Sequence, residues 1–146
     1  MNEPKWTELK KDLKISATRA DGGVWQLAVS FLEAPGFLKI TADGEWTYSN
    51  VLALKCKADG DLLSPLNPKR CIHEASPVGC LIGRIWGSSA SRATEGIFTV
   101  GSLCVLKLAA DQQGPLFLTI NDLWTGFADN GGEVTVQIQF APATSS

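Results

Sequence analysis

Histidine is almost missing from this 146-residue chain, in which His73 is the only one. That absence excludes a histidine-rich transition-metal centre and leaves a lone general base without a reliable nucleophile or orienting partner. Cysteine is sparse too. Cys56, Cys71, Cys80 and Cys104 fit no paired C-x-x-C zinc pattern. Cys80 and Cys104 sit in apolar runs and read as small buried hydrophobes. Cys56 and Cys71 flank a loop that a disulfide would close, and the lack of a secretion signal argues against that bridge. A long basic run is also missing, and the net charge is −2, so a nucleic-acid partner has no electrostatic footprint. No apolar run approaches the length of a membrane span. The Lys- and Glu-rich start, Met1–Leu13, has no apolar signal core. The expectation is a chain made in the cytoplasm that reaches the cell surface or the extracellular space, if it does, by another route.

What is there is an ordinary folded composition, 45% apolar and 19% charged, at a length suited to one domain over residues 1–146 with frayed ends at 1–10 and 141–146. Period-2 alternation recurs between turn residues. It predicts strands over Leu13–Thr18, Val24–Phe31, Phe37–Thr41, Trp46–Tyr48, Val78–Trp86, Gly96–Val100, Leu103–Leu108, Pro115–Asn121 and Glu133–Phe140. Only Glu8–Leu13 has the pattern to start a short helix. Eight or nine short strands separated by Gly, Pro, Asn and Asp predict an all-β, antiparallel β-sandwich or jelly roll. The interval Asn50–Pro77 is too long for a hairpin connection, and such loops are usually functional or locally structured.

The densest chemistry lies between the last two strands. There Asn121, Asp122, Asp129 and Asn130 bring four oxygen-bearing side chains, and Gly126, Gly131 and Gly132 let the backbone turn. Asp and Asn oxygens with freed carbonyls are what a hard cation such as Ca²⁺ requires. The same residues also build plain turns, because they tolerate left-handed backbone and satisfy their own amides. The helix–loop–helix calcium signature is not present, so a metal site here is completed from elsewhere in the chain.

Three blocks carry a family resemblance. The first is Pro35-Gly36 leading through an apolar strand to Trp46, and the second is the strand Val78–Gly87 with its Leu-Ile-Gly-Arg-Ile run. The third, the specific one, is the Asn121-Asp122 … Asp129-Asn130-x-Gly132 spacing followed by Val134, Val136 and Ile138. In order and approximate spacing, over about Pro35–Phe140, the chain resembles the LecA-type galactophilic lectins of bacteria, small calcium-dependent β-sandwiches of galactose-binding-domain-like fold. The resemblance implies Ca²⁺ held by Asp122, Asp129 and Asn130 and by the carbonyls of Gly126 and Ser49. It implies a galactoside held by the ion, with Asp122 and Asp129 beside it. Within the same loop Trp124 and Thr125 are candidate sugar contacts, and the Trp124 indole either stacks on a sugar face or packs on its hairpin neighbours. It implies no enzymatic activity, and a homo-oligomer, dimer or tetramer, whose multivalency offsets weak single sites. The chain departs from the family where a His and a Gln of a second loop touch the sugar. Here Asp59–Arg70 is longer and holds neither, and Asn67 or Lys69 is the candidate substitute.

The remaining candidates read as structure. Trp25 alternates with Leu27, Val29 and Phe31 on one face of a strand and belongs to the core. Trp46 and Trp86 read as core or sheet-edge packing, and Arg84 as a solvent-facing strand residue. His73 as a general base, and Asp59 with Asp61 as glycosidase carboxylates, are the hydrolase reading. A non-catalytic interaction module that kept the sandwich and lost sugar binding is the other alternative.

Overall fold

In the computed structural model the described residues are 5–18, 25–49, 52–67, 69, 71–85, 96–122 and 130–143. They form ten strands in two antiparallel sheets: β1 (Thr7–Ser16), β2 (Gln26–Leu32), β3 (Gly36–Asp43), β4 (Glu45–Ser49), β5 (Leu54–Lys57), β6 (Leu81–Ile85), β7 (Ile97–Thr99), β8 (Leu103–Leu108), β9 (Gly114–Ile120) and β10 (Gly131–Pro142). One sheet has the order β5-β4-β10-β3-β8 with β1 on the other side of β10, and the second has the order β2-β9-β6-β7. The β-sandwich expected from the alternation is what forms.

β10 organises the larger sheet. Val134, Val136, Ile138 and Phe140 point into the core while the residues between them face outward, as the period-2 pattern predicts. Along one flank β10 pairs with β3 from Pro142↔Gly36 to Thr135↔Asp43, and then with β4 at Gly132↔Trp46 and Gly131↔Thr47. The register offset is the same throughout. β3 and β4 are therefore one strand kinked at Gly44, whose φ of +116° is open to glycine. The Asp43-Gly44 pair, which looks like a turn in the sequence, bends a strand without ending it.

The inner faces meet in a core that includes Ile15, Leu38, Ile40, Trp46, Tyr48, Leu116, Leu118 and Ile120. Burying side chains of this size is the main stabilising contribution, about 1.5–3 kcal/mol for each large aliphatic or aromatic group.

Several local expectations are corrected. Glu8–Leu13 is part of β1, not a helix, because it pairs with β10 through two register shifts. β2 buries Ala28, Val29 and Leu32, while Leu27 and Phe31 stand more than half exposed. The register shifts between Leu27 and Val29, and again between Val29 and Leu32, rotate the strand off simple alternation. Trp25 is half-buried against the core. Arg84 is buried, not solvent-facing. It shares with Ile82, Phe117 and Thr119 the outer face of the second sheet, and Ile82 and Thr119 are buried there as well. β5 escapes the sequence pattern because Leu-Lys-Cys-Lys lacks a long enough alternation. Trp86 lies outside the described residues.

Candidate functional site

The acidic loop is not a hairpin. β9 lies in the four-stranded sheet and β10 in the six-stranded one, so the chain crosses between sheets from Asp122 to Asn130. Asp122 lies two residues past the end of β9 and is 1% exposed. Its N–H donates to the Ile120 carbonyl at 3.1 Å, and its own carbonyl accepts from Ile72 N–H at 3.1 Å. Asn130 precedes β10 and is buried. Its Nδ2 donates to the Ala17 carbonyl at 2.9 Å. Its Oδ1 is buried with no hydrogen-bond partner among the described residues. Ser49 ends β4, and because Gly131 pairs with Thr47, the register carried one step on sets Asn130 beside Tyr48, with Ser49 the next residue along. Ser49 is buried, and its Oγ accepts from Leu52 N–H at 3.3 Å. The structure thus brings Ser49 and Asn130 to one end of the sheet. Gly126 and Asp129, with Trp124 and Thr125, lie outside the described residues. Asn67 is exposed, and its Oδ1 accepts from Lys69 N–H at 3.1 Å in a local turn.

Asn121 has a different role from the one its place in the acidic loop suggests. Fully buried, its Oδ1 accepts from His73 N–H at 2.9 Å, and its Nδ2 approaches the carbonyls of His73, Ser76 and Pro77 at 2.9, 3.0 and 3.1 Å. Its backbone donates to the Cys80 carbonyl and accepts from Gly79 N–H, each at 2.7 Å. Asn121 is a bracket that fixes the 73–80 segment against the start of the loop, which occupies its side-chain oxygen. The sequence signal for this was the Asn-Asp doublet at a strand end, and nothing in it separates bracket from ligand.

The bracketed segment is anchored on its other side by Gly79. Its carbonyl accepts from Trp46 Nε1–H at 2.8 Å and from the Cys56 thiol at 3.4 Å. Gly79 has φ +82°, and a Cβ there would lie 2.5 Å from Cys56 Sγ and 3.1 Å from Tyr48 Cδ1. Only glycine fits. His73 Nδ1 is 2.6 Å from Ser76 Oγ, which is 2.5 Å from Thr99 Oγ1. Burial pushes the His73 pKa below its ordinary value. Ser76 is 2% exposed, too enclosed to meet a substrate, so this hydroxyl chain fastens β7 to the turn.

Asp59 and Asp61 serve local geometry. Asp59 accepts from Ser102 N–H at 2.7 Å and from Ser102 Oγ–H at 2.9 Å. Asp61 accepts from Tyr48 O–H at 2.6 Å and from Leu63 N–H at 3.0 Å, and its own N–H donates to the Val78 carbonyl at 2.8 Å. Burial, reinforced by the hydrogen bond to Asp61, pushes the Tyr48 hydroxyl up to about 12. All four cysteines are buried free thiols, so Cys56 and Cys71 form no bridge. Burial, and secondarily the charge of Asp122, pushes Cys71 up to about 11.

The donor set at the loop ends suits a hard cation. A buried carboxylate at Asp122, an amide oxygen at Asn130 left without a donor among the described residues, and the Ser49 backbone all offer oxygen. Among the described residues no group of three or more His, Cys, Asp or Glu that could hold a metal ion forms, at the loop ends or anywhere else. No helix among them is long and apolar enough to cross a membrane.

No protein-family model matches this chain, and no curated protein sequence matches it. Among solved structures, the chain is similar to one described as the EclA N-terminal domain, a PllA-like lectin, with a TM-score of 0.60 and 18% identity over 90% of this chain and 96% of that one. At that identity the likeness establishes a shared fold.

Proposed function

We propose that this chain is a non-catalytic carbohydrate-binding module that takes its glycan through Ca²⁺ held at the Asp122–Asn130 loop. The observation that carries the reading is the pair of loop ends: a buried Asp122 carboxylate, and a buried Asn130 Oδ1 with no donor among the described residues. A buried acceptor left unsatisfied is costly, and a bound cation removes that cost. The resemblance adds Asp129 and the carbonyls of Gly126 and Ser49 as further ligands, and Trp124, Thr125 and Asn67 are the proposed sugar contacts. A galactoside is the proposed ligand class, and a dimer or tetramer the proposed state. The lectin-like fold supports the carbohydrate reading.

Ca²⁺ supplies a fixed positive centre for vicinal sugar hydroxyls, which gain little from ordinary hydrogen bonds because each replaces one to water. The chain's own part is to hold the carboxylates and amide in place before the ligand arrives. The test is a calcium titration followed by chromatography on an immobilised galactoside. Saturating Ca²⁺ is expected to raise the melting temperature by several degrees, since ligand bound only to the native state stabilises it by mass action. Asp122→Asn is expected to remove that rise and the retention on galactoside. Equal retention in chelator would sink the mechanism. The altered Asp59–Arg70 loop favours a second reading, an interaction module with the same sandwich and no sugar site, which predicts neither the rise nor the retention.

A further inference from the structure

An open strand edge invites pairing with another chain, and most edges of this sandwich are guarded against it. β1 carries Lys10, Lys11 and Lys14, shifts register twice against β10 and holds Asp12 at φ +56°. β2 also shifts register twice. β5 is four residues long with Lys55 and Lys57, and β7 is only three residues long. β8 is built differently. Its six residues pair with β3 without a shift, and among the described residues no strand lies on its other side.

The phase of that pairing fixes which backbone groups are open. Ala42 N–H donates at 3.0 Å to the carbonyl of Ser102, the residue opposite it when the β3–β8 register is carried one step on. Antiparallel strands bond at alternate residues, so Cys104, Leu106 and Leu108 turn their backbone groups to β3. Leu103, Val105 and Lys107 turn theirs away from it. The same three side chains stand on the outer face of the sheet, Leu103 60% and Val105 55% exposed, and Lys107 is the single charge among them.

The geometry points to a twofold dimer in which β8 pairs antiparallel with β8 of a second copy, centred on Val105. That register sets Val105 opposite the partner's Val105 and Leu103 opposite the partner's Lys107. Every outward-facing residue then exchanges both of its backbone bonds, and the two larger sheets become one. Valine meets valine across the axis, and no like charges face each other. The edge is thus its own complement, the condition for a closed twofold interface. To a foreign segment Leu103 and Val105 offer no polar group that would select it. The proposed function calls for an oligomer without saying which surface forms it. This inference is tested apart from metal and sugar, so either can fail alone.

The full chain is sedimented at a series of concentrations in chelator, without glycan. The wild type is expected to dimerise as concentration rises. V105K sets two ammonium groups against each other at the axis and is expected to weaken self-association by about tenfold or more. V105E is expected to do the same. The side chain is exposed, so both variants are expected to keep the wild-type circular dichroism. An equal mixture of the two is expected to regain the dimer, which a variant that had merely lost its fold would not do. L27K, at an exposed leucine of β2, is expected to dimerise like wild type. A dimer untouched by V105K, or a mixture that stays monomeric, overturns the inference. So does a wild type monomeric at every concentration, which leaves the edge to a strand of another protein.

Discussion

At the scale of the residue, Asn121 matters more than its composition class suggests. Its side chain meets one backbone donor and three carbonyls inside the core. Asn121→Ala is expected to cost about 3 kcal/mol or more, because it strands several buried backbone groups. The measurement is the urea midpoint, and a cost below about 1 kcal/mol would show that the bracket is dispensable. Acid groups hidden in the same region set the response to pH. Burial pushes Cys56 up to about 12 and Cys80 up to about 11, from an ordinary 9.0. Tyr48 rises to about 12 from 10.0. Each group keeps its proton more readily in the native state than in the unfolded chain. Their contribution is whole below about pH 9, and it is lost as pH climbs toward 12. Urea midpoints measured from pH 8 to 11 are expected to fall progressively, with Tyr48→Phe flattening the part above pH 10. A flat profile contradicts this account. Which of the loop's oxygen-bearing residues serves as bracket was not legible in the sequence, since Asn offers the same atoms for either use.

At the scale of the element, strand alternation was legible where one face is buried and pairing is regular. Leu103–Leu108 has the boundaries its pattern implies, and β10 alternates from Val134 to Phe140. Legibility failed where pairing shifts or exposure is unusual. β2 slips register twice and presents Leu27 and Phe31 outward, and β1 is Lys-rich and mostly exposed along its pairing with β10. Arg84 misleads because a charged residue normally signals solvent, whereas the second sheet is covered on both faces at that point. Glycines at positive φ are the element-scale weak points. Gly79→Ala forces both a disfavoured backbone and a Cβ against Cys56 Sγ. A destabilisation of about 2–4 kcal/mol is expected by denaturant unfolding. A loss under 1 kcal/mol would mean that the segment relaxes freely.

At the scale of the whole molecule, the class of fold was legible from the count and spacing of short alternating segments. The distribution of strands between sheets was not, because pairing partners such as β3 and β10 are far apart in sequence and no local pattern names them. Asp122 closes a strand of one sheet and Asn130 opens a strand of the other. Leu118 lies between the sheets with no exposed surface. Leu118→Ala is expected to cost about 3 kcal/mol in stability, and under the proposed function to weaken Ca²⁺ binding although it touches no ligand. Calorimetric titration of the folded variant checks the second effect, and unchanged affinity would separate the core from the loop. Mechanically, under the proposed function, an ion gripped at both loop ends would be a rivet joining two plates, with the core as the shim that sets their gap. A thinner shim changes how the rivet seats, so the ion's affinity becomes a gauge of the distance between the sheets.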